Sequence, residues 1–205
     1  MGTTTNNGWP TPVATDLVQD GWEAIKDLGD AIDTTLGVYT PSTSGLTLIN
    51  TTSFSAVASQ SINDVFSSTY DNYKIILDIT PSTGLDTRFR MRASGADDST
   101  ANYDQQVLRA ADTVINGSRA LNQTFGRFAQ ANTDNSGRVT CEFTLFAPNL
   151  AKFTYIHTIG MRTSGDITIE NWHNIHSVAT AFDGISILTS AGTITGTITV
   201  YGLAD

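Results

Sequence analysis

The sequence predicts a mainly β protein: an antiparallel β-sandwich of jelly-roll-like type, preceded by an extended arm and one α-helix. Three observations carry this expectation. From Leu46 onward apolar residues recur with period two, most cleanly where Val139, Cys141, Phe143 and Leu145 alternate with Thr140, Glu142 and Thr144. Turn formers return at roughly every dozen residues along the same stretch, the spacing of a sandwich or barrel. Only the stretch before Gly37 carries the period of 3.6 that marks a helix.

The arm comes first. Asn6-Asn7-Gly8 reads as a turn, and Pro10 and Pro12 hold Trp9–Val13 in a stretched conformation. Trp9 is a large apolar side chain on a polar leader. Two readings fit it: a plug that docks on a neighbouring protein, or an incidental residue of a loose tail. The helix follows, with Thr15 as its cap and Asp16 at the positive end of its dipole. Val18, Trp22, Ile25, Leu28, Ile32 and Leu36 form its apolar stripe, and Gly37 ends it. Gln19, Asp20, Glu23, Lys26, Asp27, Asp30 and Asp33 lie between them. Such a helix is too polar to span a membrane and too short to stand alone, so the stripe needs partners. Gly29 allows close approach, and the stripe lies near heptad spacing. The organisation expected is an anchoring and oligomerising segment over 1–37, a linker over 38–45 and a distal β-domain over 46–205.

The run GWPTPVATDLVQDGWEAIKDLGDAIDTTLG resembles the N-terminal segment of tail-fibre, minor tail and related structural proteins of tailed bacteriophages. Asp16, Val18, Asp20, Gly21, Ala24, Ile25, Leu28, Ala31, Ile32, Asp33 and Thr34 carry that likeness, and the closing GTITGTITVYGLAD resembles the last strand of the β-rich domain that often follows. The resemblance implies a virion protein made in the host cytoplasm and placed on the particle surface. Its N-terminal segment, with Trp9, Pro10 and Pro12, would dock on another virion protein of the tail, baseplate or capsid. A homotrimer is also implied, as three-fold fibres are.

Within the β-domain, strands are expected at Leu46–Asn50, Ser53–Gln60, Tyr73–Thr80, Asp86–Ser94 and Tyr103–Ala111, then at Gly137–Ala147, Lys152–Met161, Asp166–Ile175, Gly184–Thr189 and Thr193–Gly202. In the second of these Phe54, Ala56 and Ala58 share a side. Asp112–Ala131 fits neither period, because Gly117 and Gly126 interrupt it.

Composition narrows the function classes. Charged residues make up 15% of the 205 residues and the net charge is −9, which argues against nucleic acid, whose phosphates need Lys and Arg. One cysteine, Cys141, excludes an internal disulfide framework, and its place on the apolar side of a strand reads as a small core residue. Met1–Asn7 shows no cationic start followed by an apolar run, so no secretion signal is expected.

Few groups suggest chemistry. Arg88, Arg90 and Arg92 share one face of a strand. They read either as a face answered by carboxylates such as Asp78, or as a contact to a neighbouring subunit or an acidic sugar. Asn132, Asp134 and Asn135 lie in a polar hairpin turn that resembles a calcium loop until its last ligand, where Phe143 stands instead of a glutamate. Trp172 and His176 could form a sugar-stacking platform or simply pack. His173 and His176, three apart on a strand, point to opposite faces and share no ion. Neither a nucleophile elbow nor convergent acid–base groups are seen, so no enzyme and no cofactor are expected. Two roles stay open: a host-facing appendage touching a surface glycan, and a capsid-decorating or head-fibre protein.

Overall fold

The computed structural model describes residues 2–4, 8–11, 13, 21–38, 45–83, 86–130, 137–164 and 166–203. It divides into two compact units, Met1–Thr43 and Ser44–Asp205.

In the first unit, β1 (Gly2–Thr3) pairs antiparallel with β2 (Pro10–Thr11). The Thr4 N–H donates to the Trp9 carbonyl at 2.8 Å, and Gly8 takes a left-handed φ of 64° that a side chain would resist. Of the expected extended arm, Gly2–Thr3 and Pro10–Thr11 thus pair as a small hairpin. The helix α1 (Gly21–Val38) runs one residue past the stop expected at Gly37. Thr15, Asp16, Val18 and Pro12 lie outside the described residues, as does the side chain of Leu36.

Two adjacent stripes run along α1. Trp9 donates its indole N–H to the Thr35 hydroxyl at 3.1 Å, which places the hairpin on the stripe Ala24, Leu28, Ala31 and Thr35. Ala24 on that stripe is only 4% exposed. Trp22, Ile25, Gly29 and Ile32 form the other stripe, and there Trp22 is 67% and Ile25 66% exposed. Leu28, expected with Trp22, belongs to the hairpin's side.

The second unit is the predicted sandwich. The large sheet contains β3 (Leu46–Val57), β15 (Ile194–Leu203), β5 (Asn72–Pro81), β11 (Val139–Phe146), β12 (Thr154–Ser164), β13 (Asp166–His176), β8 (Tyr103–Ala111) and β9 (Val114–Gln123), in that spatial order. The smaller sheet runs β10 (Gly126–Gln130), β6 (Asp86–Ala93), β14 (Gly184–Thr189), β4 (Ser59–Ile62), with β7 (Ala96–Asp97) beside β6. Every pairing is antiparallel, and the chain passes repeatedly between the sheets, as jelly rolls do.

Tyr73, Ile75, Leu77 and Ile79 from β5 and Val139, Cys141, Phe143 and Leu145 from β11 face inward, none more than 4% exposed. From the other sheet come Phe89, Met91, Phe128, Ile185 and Ile187. Phe143 meets Phe89 edge-on at 5.8 Å and Phe128 at 5.0 Å, so aromatic packing sits where the two sheets face each other.

Two stretches differ from expectation. Leu46–Val57 is one strand, bent where Ala56 takes φ 52° and the register with β15 shifts. That bulge breaks the alternation, so Phe54 is buried while Ala56 is exposed. The ambiguous stretch after Ala111 is β9 followed by β10. Strand β9 is exposed along most of its length, which is why it shows no alternation.

Candidate functional site

The basic strand is held by its own chain. Arg92, 8% exposed, donates to Asn63 Oδ1 at 2.8 Å and to Ser186 Oγ at 2.9 Å, and bonds Asp97 and the Gly95 carbonyl. Arg88 lies 3.9 Å above the Phe125 ring and 3.6 Å from Asp86, which also takes Arg127 at 2.9 Å. Arg90 donates to the Thr124 carbonyl at 3.0 Å. The carboxylates that answer the strand are thus Asp86 and Asp97. Asp78, expected there, lies on the outer face of the other sheet and pairs with Arg138. Its hydrogen bonds to that guanidinium hold the Asp78 carboxyl below its usual range.

Arg92 is therefore a structural residue and not a ligand contact. Replacing Asp97 with Ala would strand a nearly buried guanidinium, and the expected cost is about 3 kcal/mol. Urea unfolding followed by circular dichroism checks it, with Asp97→Asn expected to lose less.

Trp172 also leaves the ligand surface. It is 4% exposed, faces inward, and donates Nε1–H to Glu170 Oε2 at 3.0 Å. His176 is fully buried between Tyr103 and Phe182, each ring centroid 4.8 Å away, with Nε2 2.9 Å from Asp98 Oδ2. A sugar-stacking pair of Trp172 and His176 is thereby excluded by burial. Asn132, Asp134 and Asn135 lie outside the described residues.

His173 faces the other way, as strand period requires. It stacks on His157 of β12 at 4.5 Å and 14°, and Asn171 Oδ1 lies 2.9 Å from His157 Nε2. Burial and the neighbouring His157 both push the His173 pKa down. Among the described residues no group of three His, Cys, Asp or Glu side chains is placed to hold a metal ion.

The surface that sequence reasoning missed is the outer face of the large sheet. Across neighbouring strands the register places Ile76, Glu142, Ile159, Asn171 and Leu108 in one row. The next row holds Asp78, Thr140, Met161, Ile169, Ala110 and Ile115. Ile159, Met161 and Ile169 are 49%, 52% and 53% exposed. They line a shallow groove of about 620 Å³ together with Glu142 and the Asp78–Arg138 pair.

Strand β13 shows why this was hidden. Its inward side chains are Thr168, Glu170, Trp172, Asn174 and His176, while Ile167, Ile169 and Ile175 point outward. Polarity is inverted along most of the strand. The alternation was legible in the sequence, but which side faced the core was set by the sheet's neighbours.

No family model and no curated protein matches the sequence. Among solved structures the chain is similar to the galectin LEC-6 of Caenorhabditis elegans, at 10% identity and TM-score 0.34, covering 75% of this chain and 96% of that one. It is also similar to a fructofuranosidase of Schwanniomyces occidentalis complexed with fructosylnystose, at 5% identity and TM-score 0.29, covering 78% of this chain and 34% of that one. A homodimeric agglutinin from chicken liver matches at 8% identity and TM-score 0.23, over 67% and 99% of the two chains. None of these likenesses bears on the site. No helix among the described residues is long and apolar enough to cross a membrane.

Proposed function

We propose that the chain is a non-enzymatic structural protein of a tailed-bacteriophage virion, a fibre-like homotrimeric appendage. Its N-terminal segment attaches it to another virion protein, and its β-sandwich faces the host surface and meets a glycan there. The observation that carries this reading is the helix Gly21–Val38, where Gly21, Ala24, Ile25, Leu28, Ala31, Ile32, Asp33 and Thr34 of the phage-like pattern fall and which leaves Trp22 and Ile25 uncovered. Within the N-terminal segment Trp9 serves first to seat the hairpin on α1, so its part in attachment is to shape the docking element.

The second reading is a capsid-decorating or head-fibre protein, a role for which the single sandwich formed by the second unit suffices.

The test combines particles and cells. Virions assembled with a Trp9→Ala, Trp22→Ala protein are expected to lack it, while its β-sandwich stays folded. Purified wild-type protein is expected to bind host cells. Normal incorporation of the variant would place the anchor elsewhere. Absence of cell binding, with particles that still infect without the protein, would favour decoration.

A further inference from the structure

We infer that the outer face of the large sheet, centred on β12 and β13, is buried against further copies of this chain. It is a second core completed by assembly, and it extends the contact between copies from α1 to the sandwich. The inference requires that copies meet, and does not depend on the virion or host-binding role.

Polarity inversion is the first support. A strand that turns Ile167, Ile169 and Ile175 away from its own core, and Glu170 and Asn174 toward it, places its aliphatic side chains on the face that the chain itself leaves uncovered. The flanking strands add Ile76, Ile159, Met161, Leu108 and Ile115, each at least 41% exposed, to the same face. Contiguous apolar surface of this kind marks an interaction site, not an ordinary solvated face.

Extent is the second. Six strands at about 4.8 Å and four to five outward rows along each give roughly 29 Å by 25 Å, about 700 Å² per copy, near the roughly 800 Å² of a stable interface.

Charge selects the occupant. The face carries Lys74, Arg119 and Arg138 against Asp78, Glu142 and Asp104, three cations and three anions, so it is neutral on a chain of net −9. Lys74–Glu142 and Asp78–Arg138 are already paired within the chain, so covering them leaves no charge without its partner. Copies that repel one another elsewhere can approach through this face. Between its charged pairs the face presents Ile76, Ile159, Met161, Ile169, Leu108 and Ile115 on a flat sheet, which suits the face of another sheet.

The test uses the full-length chain with one cysteine introduced at a time. Cys141 does not interfere, because it is buried and burial pushes its thiol pKa up. In the assembled protein an Ile169→Cys variant is expected to react with a maleimide about 10-fold or more slowly than a Ser68→Cys variant, whose site is an exposed turn. The two rates should converge on dilution to monomer. A Met161→Asp, Ile169→Asp chain is expected to dissociate at concentrations at least about 100-fold higher than wild type in light scattering, with unchanged circular dichroism. Equal labelling rates in an oligomer whose mass is unchanged would overturn the sheet contact while leaving helix-mediated assembly intact. A wild-type monomer would overturn both. Protection of Ile169→Cys that appears only when another protein is added would assign the face to that partner instead.

Discussion

At micromolar concentrations the wild type is expected to be a trimer, as proposed, and a chain carrying Trp22→Asp and Ile25→Asp is expected to be a folded monomer. Trp22, Ile25, Gly29 and Ile32 follow the three–four spacing of a coiled-coil seam. The first two are 67% and 66% exposed, and nothing lies within 4 Å of where a Gly29 Cβ would stand. Burying each of the two large side chains contributes about 2 kcal/mol or more per copy, and a carboxylate in a closed seam reverses the sign. Asp is tolerated on an exposed helix face, so the chain itself should fold. Sedimentation equilibrium reads the mass, and circular dichroism should show the β-domain unchanged. A wild type that is monomeric at those concentrations would sink the seam.

A large loss of stability is expected from Gly126→Ala. A Cβ at Gly126 would lie 2.1 Å from Phe89 Cζ and 2.3 Å from Cε1, far inside contact distance. Phe89 cannot step aside, because its fully buried ring packs edge-on against Tyr103 at 6.1 Å and Phe143 at 5.8 Å. Overpacking of this kind costs about 3 kcal/mol in a dense core. Gly117, the other glycine of that stretch, is the control. A methyl there would rest 3.4 Å from the Val107 carbonyl, so Gly117→Ala should change stability by less than about 0.5 kcal/mol. Urea denaturation of the three proteins compares them. Equal midpoints for the two variants would count against the steric account.

The same two glycines show how much of the fold was legible. In the sequence both were breaks in a pattern. In the structure Gly117 sits within an exposed strand, while Gly126 opens the strand that leaves room for Phe89. Long strands with a buried face, such as β5 and β11, announce themselves, because one side meets the core and the other meets water. Edge strands such as β9 do not, since neither side is selected for burial. The shared face of Arg88, Arg90 and Arg92 is legible from strand period, but the carboxylates that meet it are not. Pairing between β6 and β7 joins Arg92 to Asp97 five residues on, and no period encodes that turn. The helix stripe was legible as apolar, but its division into a face covered by the hairpin and a face left open depends on Trp9 reaching Thr35 from 26 residues away.

The inward polar residues of the large sheet have a mechanical consequence. Asn174 of β13 accepts from the Arg127 N–H at 3.1 Å and donates to its carbonyl at 2.9 Å, across the gap to β10. Tyr103 of β8 accepts from the Met91 N–H of β6 at 2.9 Å. An all-aliphatic sandwich has little to stop one layer gliding over the other, because dispersion contacts have no direction. These bonds do have one, and they act like dowels between two boards. A pull along the strands must break them together, at about 1 kcal/mol or more each, before the layers can shear. A sandwich loaded in tension therefore fails late and all at once.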